Sequence, residues 1–292
     1  MAKRFVAVFA LAATMLVGGQ AGAQQFTEGV RPAGMGQAYT GVASGASGLF
    51  HNPGGIASRM MYQIEGTFDY NPYGSVLNAS VVDSKTNPDI AAGVAYSYFF
   101  GRGDFENFIG HDVHLGLALP VLPERISIGV AGRYLYLQEG DPEGDVELMN
   151  GITIDAGILF RAIDELQIGV AGRNLIDVCE REQECSAVAP TQISGGISYG
   201  TETTFLVSAD GGIDLTSDPD NVHPFFEFGA EYFAGETVPL RVGYQRLQAT
   251  EQHIITAGGG ARLDTAGLDL GFRIDPEDTD QLWVNGSVSV YF

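Results

Sequence analysis

Few residues of this chain carry the types and spacings of covalent chemistry, and each set fails on inspection. Gly196-Ile197-Ser198-Tyr199-Gly200 satisfies the G-x-S-x-G spacing of a hydrolase nucleophile. That motif needs a strand-to-helix elbow with an acid and a histidine downstream, whereas here a strand-like run enters a tight turn. His111 and His114 stand three apart, which on a strand places them on opposite faces, so they cannot share a metal. His51, His223 and His253 are scattered, and Gly34-x-Gly36 lacks both the third glycine and the preceding strand of a nucleotide site. No segment matches an EF-hand loop. The expectation is therefore no catalytic set, no metal site and no cofactor. Cys179 and Cys185 enclose five residues, four of them charged, and lack the spacing of a redox motif. In an exported chain they predict a structural disulfide at a loop tip, in preference to free thiols or a metal pair.

The remaining chemistry-bearing residues are charges embedded in alternating strands. Glu65, Asp69, Asp155, Asp210, Glu227, Glu231 and Asp269 fall on the polar parity of their runs, as do Arg133, Arg173, Arg241, Arg262 and Arg273. Opposite charges confined together should pair, because an unpaired buried charge is costly. An embedded enzyme would need an inward serine or acid beside a histidine, and only His114 reads inward.

Period-2 runs place these charges. They span approximately 62–71, 75–83, 89–100, 111–120, 125–138, 149–161, 165–175, 190–200, 202–213, 223–234, 236–248, 251–263, 265–274 and 281–292. The fold expected is all-β, a fourteen-stranded antiparallel transmembrane barrel, since most runs are long enough to cross a bilayer tilted. Short links near 162–164, 201, 235 and 264 alternate with longer ones at 101–110, 139–148, 176–189, 215–222 and 275–281. Outer-membrane barrels alternate tight periplasmic turns with extended outer loops in this way. The first pair breaks the pattern, with a short link at 71–74 and a longer one at 83–88. Acidic residues crowd four of the long links, and this reads as a solvated, repulsive surface. The last strand alternates to a terminal aromatic, Phe292, read as the signal by which barrel-assembly machinery would recognise the chain. Ile128-Gly129-Val130-Ala131-Gly132-Arg133 recurs as Ile168-Gly169-Val170-Ala171-Gly172-Arg173, which suggests hairpin duplication. In both copies isoleucine and valine face out while glycine, alanine and arginine face in.

Met1-Ala2-Lys3-Arg4, an apolar run from Phe5 to Val17, and Ala21-Gly22-Ala23 form the three regions of a signal peptide. The domain reading is signal peptide 1–23, N-terminal plug segment 24–61 and barrel 62–292, located in the bacterial outer membrane and in contact with its lipid. Cleavage after Ala23 removes Lys3 and Arg4 and shifts the net charge from −21 to −23. Such a chain repels phosphate, which excludes nucleic acid as a partner.

The segment 26–61 lacks strand alternation and is rich in small residues, suited to close packing inside a bore. Asn52-Pro53 predicts the start of a short helix, with Asn52 as cap. The run RPAGMGQAYTGVASGASGLFHNPGGIA resembles the start of mature proteins in the FadL and PorV/PorQ superfamily of outer-membrane barrels. Arg31, Gly34, Met35, Gly36 and Ala38 match its R-x-x-G-M-G-x-A signature; Asn52, Pro53 and Gly55 match its N-P-A-G/A-L signature. Gly54 and Ile56 depart from the usual alanine and leucine. The resemblance implies a fourteen-stranded barrel plugged by an N-terminal hatch. In FadL-like members hydrophobic molecules bind at the outer side and leave through the barrel wall. Passage in this chain is expected to depend on movement of the hatch or on a lateral opening where a kinked strand leaves a gap. PorV-like members act with secreted proteins as a component or shuttle of type IX export. The expected partner is therefore a hydrophobic small-molecule ligand, or alternatively a secretion partner protein.

Overall fold

The computed structural model describes residues 29–140, 144–176, 189–201, 203–218 and 220–292. An N-terminal segment carries two short helices, α1 (Val30–Gly34) and α2 (Gly45–His51), and a 3-10 turn (Pro53–Ala57). Fourteen strands follow: β1 (Tyr62–Asn71), β2 (Gly74–Asp83), β3 (Ala91–Gly101), β4 (Phe108–Leu122), β5 (Ile126–Glu139), β6 (Val146–Ile163), β7 (Leu166–Arg173), β8 (Gln192–Gly200), β9 (Phe205–Asp214), β10 (His223–Ala234), β11 (Val238–Leu247), β12 (Gln252–Arg262), β13 (Ala266–Ile274) and β14 (Leu282–Tyr291). Each pairs antiparallel with its sequence neighbours, and β1 pairs with β14, closing the barrel. Closure satisfies the strand edges that an open sheet would leave unpaired.

The alternation read from the sequence sorts the two faces. Ile128, Val130, Ile168 and Val170 are exposed on the outside, while Ala131, Ala171, Asp155 and Glu231 are buried within. Exposed aromatics lie toward both rims, such as Tyr70, Tyr134 and Phe226 at one and Phe160, Tyr199 and Tyr232 at the other. An apolar exterior around a polar interior inverts the order of a water-soluble protein and suits an apolar surrounding. We call the rim holding Tyr62 and Tyr291 the turn end and the opposite rim the loop end.

Three expectations need correction. Glu139 and Glu147 lie in the β5–β6 ladder rather than in a loop, because Gln138 pairs with Glu147 and Glu139 with Val146. The alternation simply continues until Gly140, so the loop shrinks to 140–145. Strand β7 is shorter than read, ending at Arg173. Asn174 adopts φ 51°, a left-handed conformation that asparagine tolerates and that stops the strand. The break in the wall does not come from a kinked strand: β3 pairs along its length on both sides, whereas the short β7 meets β6 only from Ala156 to Ile163, which leaves Val146–Asp155 without a ladder partner on that side among the described residues.

Candidate functional site

The lumen holds residues 29–57 of the N-terminal segment, and inward glycines of the wall make room for it. A Cβ on Gly129 would strike the backbone of Pro53, one on Gly169 the carbonyl of Thr40, and one on Gly243 the amide of Gly36. Across the barrel, Gly258 sits 3.1 Å, measured from its would-be Cβ, from the Cα of Gly34. The segment supplies glycines at the same contacts. Gly36 has φ +61°, and a Cβ there would come within 2.6 Å of the Tyr244 amide. Several of these wall glycines face each other in the ladders, as Gly129 with Gly157, Gly169 with Gly196 and Gly229 with Gly243. They form a belt on which backbone meets backbone.

Polar contacts fix the segment's register against the wall. The Gly36 amide donates to Thr256 Oγ1 at 2.9 Å, and that hydroxyl donates to the Gly34 carbonyl at 3.0 Å. The Thr40 amide donates to Asp210 Oδ2 at 2.5 Å, and Ser198 Oγ donates to the Gly41 carbonyl at 3.1 Å. Ser198 therefore anchors backbone from within β8, and the hydrolase-like spacing has no elbow. Asn52 Nδ2 donates to the carbonyls of Thr40 and Ile158, while its Oδ1 accepts from Gly54 N at 3.1 Å. Asn52 thus caps a turn as expected, but the turn is 3-10 rather than α. Two consecutive glycines, Gly54 and Gly55, disfavour a longer helix.

The charges cluster on the β10–β13 side. Arg31 makes a paired contact with Glu231, Nη2 to Oε1 at 2.7 Å and Nε to Oε2 at 3.1 Å. Arg241 Nε donates to the same carboxylate at 2.6 Å and its Nη1 to Asp269 Oδ1 at 2.5 Å. These groups are buried, so the pairing offsets a desolvation cost that either partner alone would bear. Glu227 accepts from Gln245, whose side-chain oxygen accepts from Arg273, and the Arg273 guanidinium lies over the Trp283 ring. Arg262 sits over Phe233 beside a polar cavity of 240 Å³ at the turn end.

On the β4–β6 side the lumen changes character. Arg133 forms a forked contact with Asp112 and donates to Asn174 Oδ1 at 2.8 Å. His114 points inward, its Nε2 3.0 Å from Asp112 Oδ1 but outside hydrogen-bond alignment. Its ring packs edge-on against Phe50 of α2. Leu135, Leu137, Met149 and Ala189 form a buried apolar cluster inside the lumen, joined by Phe99, Phe108 and Leu148. It lies toward the loop end of β3–β6. The sequence reading missed this cluster, along with Asp112, Asn174 and Thr256.

The other sequence-predicted residues are placed as follows. Met35 and Ala38 are fully buried in the lumen, Met35 in a cluster with Tyr39, Val42 and Leu206. Gly55 packs on Ala43. Asp155 accepts from the Asn174 amide at 2.6 Å, and Arg173 donates to Gln192 at 2.5 Å. Glu65 accepts from Ser289 at 2.7 Å, and Asp69 from Asn285 at 3.4 Å. Phe292 donates its amide to Tyr62 and stacks edge-on with that ring where β14 meets β1. Cys179, Cys185 and the signal peptide lie outside the described residues.

No protein-family model matches the sequence, and no curated protein matches it. Solved structures do match the fold over most of its length. The toluene transporter TbuX of Ralstonia pickettii aligns with a TM-score of 0.64 at 14% identity, covering 90% of this chain and 97% of that one. The monoaromatic hydrocarbon channel CymD aligns with a TM-score of 0.66 at 16% identity, covering 90% and 96%. The toluene transporter TodX of Pseudomonas putida aligns with a TM-score of 0.62 at 10% identity, covering 89% and 95%. At these identities the shared property is the closed fourteen-stranded barrel.

Proposed function

We propose that this chain is a FadL-like barrel of the bacterial outer membrane through which small hydrophobic molecules pass. The loop end faces outward and the segment 24–61 serves as the plug. The observation that carries the reading is the apolar cluster around Leu135, Leu137 and Met149, set inside the lumen on the loop side of Phe50. Apolar side chains on the lumen face offer a hydrophobic solute a place to leave water. The barrels of similar fold described as toluene transporters and as a hydrocarbon channel add support. Passage follows movement of the N-terminal segment or leaves through the wall beside β6, where Val146–Asp155 has no ladder partner in β7. Phe292 and β14 serve as the assembly signal, and outer-membrane lipid surrounds the apolar band. A role as a type IX-like secretion shuttle draws no support from these likenesses.

The test is uptake of a labelled small hydrophobe by cells producing the chain. Uptake should exceed that of cells lacking it, and Leu135→Asp with Leu137→Asp should abolish the gain at equal barrel abundance in the outer membrane. Equal uptake with and without the chain contradicts the reading.

A further inference from the structure

We infer that the solute is a hydrophobe without negative charge, and that the loop end rejects carboxylates. This rests on the proposed passage of hydrophobic molecules and narrows it to a chemical class. The first observation is the charge of the loop-end rim. The connection 275–281 carries Asp275, Glu277, Asp278 and Asp280, and the connection 215–222 carries Asp218 and Asp220. Glu139, Asp145 and Glu147 stand above the apolar cluster itself, at the loop-end tips of β5 and β6 and in the connection between them. The described arginines at this end are Arg102 and Arg246, tied down outside the bore, and Arg173 and Arg273, which face inward at the tips of β7 and β13. Arg102 lies over the Tyr70 ring, and Arg246, on the outward parity of β11, donates to the Glu251 carbonyl. The acids outnumber these arginines, so an approaching anion meets a net negative field, which depresses its local concentration and its rate of entry.

The second observation is independent of the rim. A carboxylate that did enter would need a cation to replace its water, and the inward arginines are already engaged. Arg133 is held by Asp112, Arg241 by Glu231 and Asp269, and Arg31 by Glu231. Arg173 is held by Gln192, which in turn contacts Asp214, and Arg273 by Gln245, which in turn contacts Glu227. At the turn end, the cavity sets Arg31, Arg59 and Arg262 against Glu65, Asp264 and Asp269. No stretch of the described lumen presents a surplus of positive charge. A neutral hydrophobe incurs neither penalty.

The experiment measures binding of radiolabelled decanol and decanoate to the detergent-solubilised full chain at pH 8, corrected for protein-free micelles. At pH 8 the carboxylate is fully ionised. At low salt, decanol should bind and decanoate should bind at least tenfold more weakly. The gap should narrow several-fold in about 0.5 M salt, where screening shortens the reach of exposed charges to a few ångströms. It should narrow likewise in the variant Asp275→Asn, Glu277→Gln, Asp278→Asn, Asp280→Asn. Decanoate binding as tightly as decanol at low salt overturns the inference while leaving hydrophobe passage standing. A gap that responds neither to salt nor to the variant overturns the role of the rim. Absence of binding by both ligands removes the proposed function and this inference with it.

Discussion

The N-terminal segment rests against two unlike walls. On the β10–β13 side it is held by charge: Arg31 meets Glu231, which also holds Arg241, which in turn holds Asp269. On the β3–β6 side it is held by fit: Leu49, Phe50 and Ile56 pack with Val82, Ala95 and Ala118, and Pro53 lies on Gly129. The first wall fixes where the segment sits, because a forked arginine–carboxylate contact tolerates little displacement. The second wall is less directional, since apolar contact is roughly proportional to area and indifferent to angle. The apolar cluster facing the loop end also lies on this second side. In the proposed passage, the segment would shift away from its apolar wall and stay tethered at its charged one.

The comparison breaks most sharply at Glu231. Glu231→Ala leaves two buried guanidinium groups without their carboxylate and should cost about 3–5 kcal/mol, read as loss of resistance to denaturant in detergent. On the opposite wall, Gly129→Leu drives a side chain into Pro53 and should cost about 1–3 kcal/mol. It should also make the segment cleavable by protease at unchanged barrel content. A Gly129→Leu effect larger than that of Glu231→Ala would reverse the assignment of anchor and packing. Thr256→Val removes the partner of both the Gly36 amide and the Gly34 carbonyl and should cost about 1–3 kcal/mol, measured by the same unfolding curves.

The smallest effect lies outside the lumen. Asp218 accepts hydrogen bonds from Asn221, the Asp220 amide and His223, which hold its pKa at about 2. A carboxylate whose folded pKa is depressed stabilises the fold above the usual carboxylate range, and the contribution fades as pH falls toward 2. Asp218→Asn should therefore differ from the parent at pH 6 by a small amount and match it near pH 2, as followed by proteolysis of the 215–222 connection.

The strands were legible because an apolar outer face and a polar inner face impose a two-residue period on most runs. The inward charges followed from the same parity, which is why Glu231, Arg241 and Asp269 could be named before their contacts were seen. Tyr134-Leu135-Tyr136-Leu137 blurs that period, being bulky on both faces, so the apolar patch inside the lumen was hidden. Asp112 shares the inward parity of His114, but its partner Arg133 stands on β5, a cross-strand pairing that period alone does not encode. Asn174 gave no periodic signal: it matters by ending β7 in a left-handed conformation and turning its side chain to Arg133. The glycines were legible as space, but their partners in the segment depend on how the bore is filled, which strand period does not encode.

Conductance of the full chain in a planar bilayer tests the central claim most directly. With the segment seated on the glycine belt and pinned at Glu231, the barrel should be electrically quiet in plain buffer. Large steps should appear when urea loosens the segment and vanish when the urea is washed out. Steady large conductance in plain buffer, or none in urea from barrels shown to be inserted, would contradict it.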